Sequence, residues 1–154
     1  MNCLGTAKKI AIVSGFGESD TSELNAFDNA LINAGIHDCN LMPVSSILAK
    51  NTRIVKKFDI EKGAFVPCVL SSTEGKKNQT ICTGISIGIN NKKYGFVVEG
   101  QTKSEKELNK ELDLKLEEMA TKRKLKILQR KTIIKAGKIT KKFGCCVTAV
   151  VYLF

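Results

Sequence analysis

Asp28 is the first residue whose neighbours in the sequence suggest chemistry. Leu24, Phe27, Leu31 and Ala34 recur around it at helical spacing, which puts Asp28 at the edge of an apolar face, four residues after Leu24 and three before Leu31. A carboxylate in that position needs a cation or a ligand. It belongs to a stretch, Ile10 to Ala49, that holds Glu18, Asp20, Glu23, Asp28 and Asp38 but no Lys or Arg. In a protein of net charge +10 such a segment suits a cationic small ligand, although solvated surface carboxylates would give the same pattern. The six cysteines show no CxxC spacing and His37 is the single histidine, so the composition argues against a zinc site and no metal is expected. Cys3, Cys39, Cys68, Cys82, Cys145 and Cys146 read instead as small buried apolar residues in a reducing compartment. Gly15-Phe16-Gly17 lacks the third glycine of a dinucleotide fingerprint. Ser45-Ser46 places two hydroxyls side by side between Val44 and Ile47, which by itself describes any two small residues in a strand or loop.

These residues must be held by elements the sequence outlines. Lys9 to Ser14 reads as a strand ending at the glycines, and Ser22 to Ala34 as a helix stopped by Gly35. Cys39 to Leu48 reads as one extended run, because Pro43 forbids a helix interior. Strands are expected at Arg53 to Phe58, Gly63 to Leu70 and Thr80 to Ile89, with Asn90-Asn91 turning into Tyr94 to Glu99 as a hairpin. Ser104 and Glu107 make a capping-box pattern for a long helix running to about Leu128. Leu108, Leu112, Leu116 and Met119 line one face of it, with Glu111–Lys115 and Glu118–Lys122 at i,i+4 spacing. Thr132 to Ile139 and Gly144 to Phe154 complete an α+β pattern in one domain spanning 1–154.

Between Lys103 and Lys142 there are 14 Lys or Arg against 6 Asp or Glu, so the basic charge is concentrated at the back of the chain. Cations at the end of a helix complement its dipole, and a solvated face accounts for them better than nucleic acid does. The chain shows no signal peptide, and no run approaches the roughly 20 apolar residues of a membrane span. A soluble, cytoplasmic protein is expected, for which the Asn78-Gln79-Thr80 sequon has no meaning.

Several segments taken together resemble the pyruvoyl-dependent arginine decarboxylase family. They are Leu24 to Ile36, with its FDxALxNAGI pattern, Asn40 to Ile47, in which Asn40 stands six residues before Ser46, and Gly63 to Pro67. Gly84 to Ile89, the GxxxE strand Gly95 to Glu99, and Phe143-Gly144-Cys145 continue the likeness in order along nearly the whole chain. The resemblance implies a four-layer αββα sandwich that forms a homotrimer or a dimer of trimers, with sites between neighbouring subunits. It also implies a zymogen that cuts itself between Ser45 and Ser46, giving a β chain 1–45 and an α chain 46–154 headed by a covalent pyruvoyl cofactor made from Ser46. The reaction implied is decarboxylation of L-arginine to agmatine and CO2, a step of polyamine biosynthesis.

By the same resemblance, Asn40 assists processing and Glu99 is the proton donor. Asp28, with Leu24, binds the substrate, since a carboxylate accepts two parallel hydrogen bonds from a guanidinium. The ligand expected is a small cationic amino acid, with neither membrane nor nucleic acid as partner. Two other readings compete. One is a pyruvoyl decarboxylase for a different amino acid, and the other is an uncleaved, non-catalytic basic binding paralogue, which would bind with a steep salt dependence.

Overall fold

The computed structural model describes residues 5–154, so Cys3 lies outside the described residues. In chain order the elements are β1 (Lys9–Ser19), α1 (Glu23–Ala34), β2 (Asn40–Pro43), β3 (Ile47–Leu48), β4 (Arg53–Ile54) and β5 (Phe65–Lys76). They continue with β6 (Thr80–Asn90), β7 (Gly95–Thr102), α2 (Glu105–Lys122), β8 (Ile127–Lys138) and β9 (Phe143–Leu153). One sheet runs β2-β5-β9-β1-β4 and the other β3-β7-β6-β8, which with the two helices makes an α+β fold. Among the described residues no helix is long and apolar enough to cross a membrane.

The glycines expected to end β1 instead lie inside it, and they decide how α1 docks. A Cβ on Gly15 would stand 2.8 Å from Ala34 N and closer still to Ala30 O, and one on Gly17 would stand 2.6 Å from the Asn29 carbonyl carbon. The helix therefore rests backbone against backbone through Ala26, Ala30 and Ala34, which are buried. Phe27 and Leu31 flank this seam, while Leu24 is turned outward and 74% exposed. Asp28 is likewise exposed, which corrects its expected place at the rim of the buried face. Both expected helix ends hold. Ser22 Oγ accepts from the Asn25 N–H at 3.0 Å, and Gly35, at φ 73°, donates its N–H to Ile32 O.

In α2, Leu108, Leu112, Leu116 and Ala120 are buried over Cys82, Phe96 and Val98, and Ser104 Oγ accepts from the Glu107 N–H. The helix stops six residues short of Leu128 because Lys124 takes a left-handed conformation at φ 56°, and Ile127 opens β8 by pairing with Asn90. Arg130 then reaches back to pair with Asp113 and Glu117 of α2. A separate cluster joins Ile10, Val69 and Val150 of the five-stranded sheet to Leu48, Ile85, Ile87 and Val97 of the four-stranded one.

Other boundaries shift with strand pairing. The run expected at Arg53 to Phe58 has strand partners only at Arg53 and Ile54, which lie parallel to Lys9 and Ile10. Strand β5 extends to Lys76 because β9 pairs with it as far as Phe143. The Asn90-Asn91 hairpin forms as expected, joining β6 to β7. Cys68, Cys82, Cys145 and Cys146 are buried and Cys39 is half-buried, all as free thiols. Burial pushes Cys145 and Cys146 up to about 12, in keeping with small apolar filling.

Candidate active site at the sheet crossover

The run expected to be continuous from Cys39 to Leu48 breaks at the two serines. Strand β2 pairs parallel with β5, from Asn40 opposite Phe65 to Pro43 opposite Cys68, and the Val44 N–H extends that ladder to Cys68 O at 3.1 Å. Strand β3 pairs antiparallel with β7 in the other sheet, Ile47 opposite Phe96 and Leu48 opposite Gly95. Ser45 and Ser46 are thus the crossing between the sheets, with the chain anchored on both sides. Long-range pairing, which no local pattern encodes, makes the break.

The crossing is a tight turn. The Ile47 N–H donates to Ser45 O at 3.0 Å, an i to i+2 closure, and Ser46 O accepts the Val97 N–H at 2.8 Å. Tyr152 donates its hydroxyl to Ile47 O at 3.2 Å, and burial pushes that phenol up to about 12, so it stays a donor. Ser45 is exposed and Ser46 half-buried.

Ser46 opens into a cleft of about 410 Å³ shared with Val98, Glu99, Lys115, Glu118, Met119, Lys122 and Arg123. That volume lies in the range of small-molecule sites. Glu99 is half-buried on β7, two residues beyond the one that bonds to Ser46 O. Lys115 of α2 donates to Glu99 O at 2.7 Å and pairs with Glu111 at 2.5 Å, as its i,i+4 spacing predicts. The Arg123 guanidinium lies 5.1 Å from the centre of the Phe96 ring.

A profile of the family described as pyruvoyl-dependent arginine decarboxylase (PvlArgDC) matches residues 9–154. The chain belongs to this family. It is 37% identical over 147 residues to the pyruvoyl-dependent arginine decarboxylase of Methanothermobacter thermautotrophicus, covering 94% of this chain and 96% of that one. The protein of the same name from Methanopyrus kandleri is 39% identical over 131 residues, covering 84% and 85%. That from Methanocaldococcus jannaschii is 37% identical over 117 residues, covering 72% and 67%. The chain is accordingly an enzyme of the pyruvoyl-dependent decarboxylase type, and its family implies a covalently bound pyruvoyl group.

The residues at the crossing fit such a group. Residue 46 is gripped through its carbonyl by Val97 and through β3 by β7, so it would hold its place with or without a bond to residue 45. The expected site residues fall into two sets. Ser46 and Glu99 line one cleft, with Ser45 beside it on the crossing and outside the cleft lining. Asp28 and Leu24, on the exposed side of α1, and Asn40 do not line that cleft. Asn40 opens β2 and donates its side-chain amide to Gly63 O at 2.9 Å, while the Ser45 carbonyl takes its donor from Ile47. Sequence reading missed Lys115, Tyr152 and the Ile47 N–H. Of these only Lys115 left a signal, its spacing from Glu111.

Proposed function

We propose that this enzyme decarboxylates L-arginine to agmatine and CO2, using a pyruvoyl group that it makes by cutting its own Ser45–Ser46 bond. It would be a four-layer αββα sandwich assembled as a homotrimer or a dimer of trimers in the cytoplasm. The observation that carries this reading is the turn at Ser45–Ser46, where the Ser45 carbonyl is bonded by the Ile47 N–H and the next residue, Ser46, shares a cleft with Glu99. The names of the relatives support arginine as substrate.

In the cleavage, Ser46 Oγ attacks the Ser45 carbonyl carbon and the C–N bond breaks, leaving an ester and a free Ser46 amine. The Ile47 N–H on Ser45 O is placed to stabilise the oxyanion on the way. Loss of the Ser46 α-proton expels the Ser45 carboxylate and leaves dehydroalanine, and water then replaces the nitrogen, releasing ammonia. Residues 1–45 stay held by β2 on β5 and residues 46–154 by β3 on β7, so the cut need not loosen the fold.

The bound pyruvoyl group supplies an electron sink for loss of the substrate carboxylate. Around it, Val98 and Met119 are the apolar members of a largely charged cleft lining, and Glu99 returns a proton to the substrate's α-carbon. Asp28 would grip the guanidinium from a neighbouring subunit. Leu24 and Ile32, 74% and 48% exposed, stand one turn on either side of it, an apolar frame suited to burial at a subunit contact. Asn40, exposed at the head of β2, would assist processing across the same contact. The test is Glu99→Gln in protein whose cleavage is confirmed by mass. Carbon dioxide release from arginine should fall about 10²- to 10⁴-fold, the usual contribution of a general acid. Near-normal release would move the proton donor elsewhere.

A further inference from the structure

Strand β7 loses its neighbour at the place where the enzyme needs its backbone most firmly held. Strand β3 is two residues long, and its side of β7 is last bonded where the Val97 N–H meets Ser46 O, after which the chain leaves for the other sheet. Alternate residues of a strand turn their N–H and C=O to the same edge, so Glu99 presents its backbone to the edge that β3 has left open. The Glu99 carbonyl is bonded there all the same. Its partner is Lys115 Nζ at 2.7 Å, delivered by a helix whose Leu108, Leu112 and Leu116 are fully buried and which is therefore rigidly seated. Glu111, one turn earlier, holds the same ammonium at 2.5 Å. On the next peptide the Gly100 carbonyl accepts from Ser71 Oγ at 3.2 Å and Thr83 Oγ1 at 3.1 Å. Side chains thus bond two successive carbonyls, Gly100 on the edge that also pairs with Gly84 and Glu99 on the open edge, where Lys115 is its partner among the described residues.

We infer that Lys115 is a positioning residue for Glu99, standing in for the missing strand so that the acid keeps its aim at the Ser46 end of the cleft. The inference rests on the reading of Glu99 as the proton donor. A bond from a charged donor to a fixed carbonyl survives exposure to the cleft better than a neutral one would, which suits an edge facing substrate. Replacing Lys115 should leave folding to the buried leucines, leave Ser46 pinned by Val97, and loosen the β7 backbone from Val98 to Gln101. A substrate still enters, but its proton arrives badly aimed, so the loss falls on kcat and not on KM.

The test compares self-cleaved wild type, Lys115→Met and Lys115→Arg, the last keeping a charged donor able to reach the carbonyl. Intact mass, Tm, amide hydrogen exchange at residues 98–101, and kcat and KM for arginine are measured on each. In Lys115→Met, exchange at 98–101 should accelerate and kcat fall, each about 10- to 100-fold, the loss of one hydrogen bond to a charged group. KM should stay within about threefold, and Lys115→Arg should recover most of both losses. Unchanged exchange and kcat in Lys115→Met would overturn the inference. So would a kcat loss that Lys115→Arg fails to restore, which would give the ammonium a chemical role, or a loss tracking a fall in Tm, which would make Lys115 merely structural. Wild-type protein that cleaves but ignores arginine would sink the substrate reading alone, because the exchange rates report the Lys115 contact without any substrate.

Discussion

Co-expressing Asp28→Asn and Glu99→Gln subunits in equal amounts separates a site built within one chain from a site shared between neighbours. Asp28 is exposed on α1, and the cleft holding Ser46 and Glu99 lies against α2 without it. With Asp28 in its proposed role as the guanidinium's charged partner, its loss should cost about 2–3 kcal/mol, or roughly 30- to 150-fold in kcat/KM, so Asp28→Asn protein should be nearly silent at low arginine. Glu99→Gln protein is silent for want of the acid. In a ring where each site takes Glu99 from one subunit and Asp28 from the next, half the clefts carry an intact Glu99. Half of those face an intact Asp28, so about one quarter of wild-type activity returns on random mixing. Within single chains no complete site would form, and activity would stay at the few per cent or less of the parent variants. The assay is carbon dioxide release at arginine well below KM, with the cleaved fraction of each subunit measured by mass. Recovery no greater than the parents would refute a shared site.

Two further outcomes follow from the packing. Gly17→Ala would drive a Cβ into the α1 backbone at Ala26, Asn29 and Ala30, and overpacking of this kind costs about 1–3 kcal/mol, or roughly 3–10 °C in Tm. A variant melting within about 1 °C of wild type would show that α1 can ride outward at no expense. Glu18 accepts hydrogen bonds from the Thr140 and Lys141 backbone N–H groups and from the Thr140 hydroxyl, and these, the Thr140 amide foremost, hold its carboxyl below the ordinary 4.5. A lowered folded value means stability that is present above pH 4.5 and lost as pH falls through the folded value. The Tm advantage of wild type over Glu18→Gln should therefore shrink below pH 4.5, and an advantage that stays constant or grows would contradict the assignment.

What the sequence disclosed and what it hid divide along physical lines. The cap at Ser22, the stop at Gly35, the Asn90-Asn91 hairpin and the leucine face of α2 are local, and each was readable because its cause lies within a few residues. The rotation of α1 was not. Leu24, Phe27 and Leu31 outvote three alanines on any hydropathy pattern, yet the alanines are buried because Gly15 and Gly17 of another element admit a helix backbone there. The split of the Cys39–Leu48 run was hidden for a similar reason, since β2 and β3 are defined by partners some 25 and 50 residues away. At the site, Ser46 and Glu99 were found through family resemblance and share the cleft, whereas Lys115 reaches the cleft and Tyr152 reaches Ile47 O only through tertiary packing.

Intact mass of the purified protein under denaturing conditions tests the central claim most directly. The account predicts two species, residues 1–45 ending in a free carboxylate and residues 46–154 with a blocked start. Together they should weigh one water more and one ammonia less than the uncut chain, and Ser46→Ala should remain a single folded chain. Wild-type protein that stays one uncut species after prolonged incubation, or that cuts to leave a serine-headed fragment with a free amine, would contradict it.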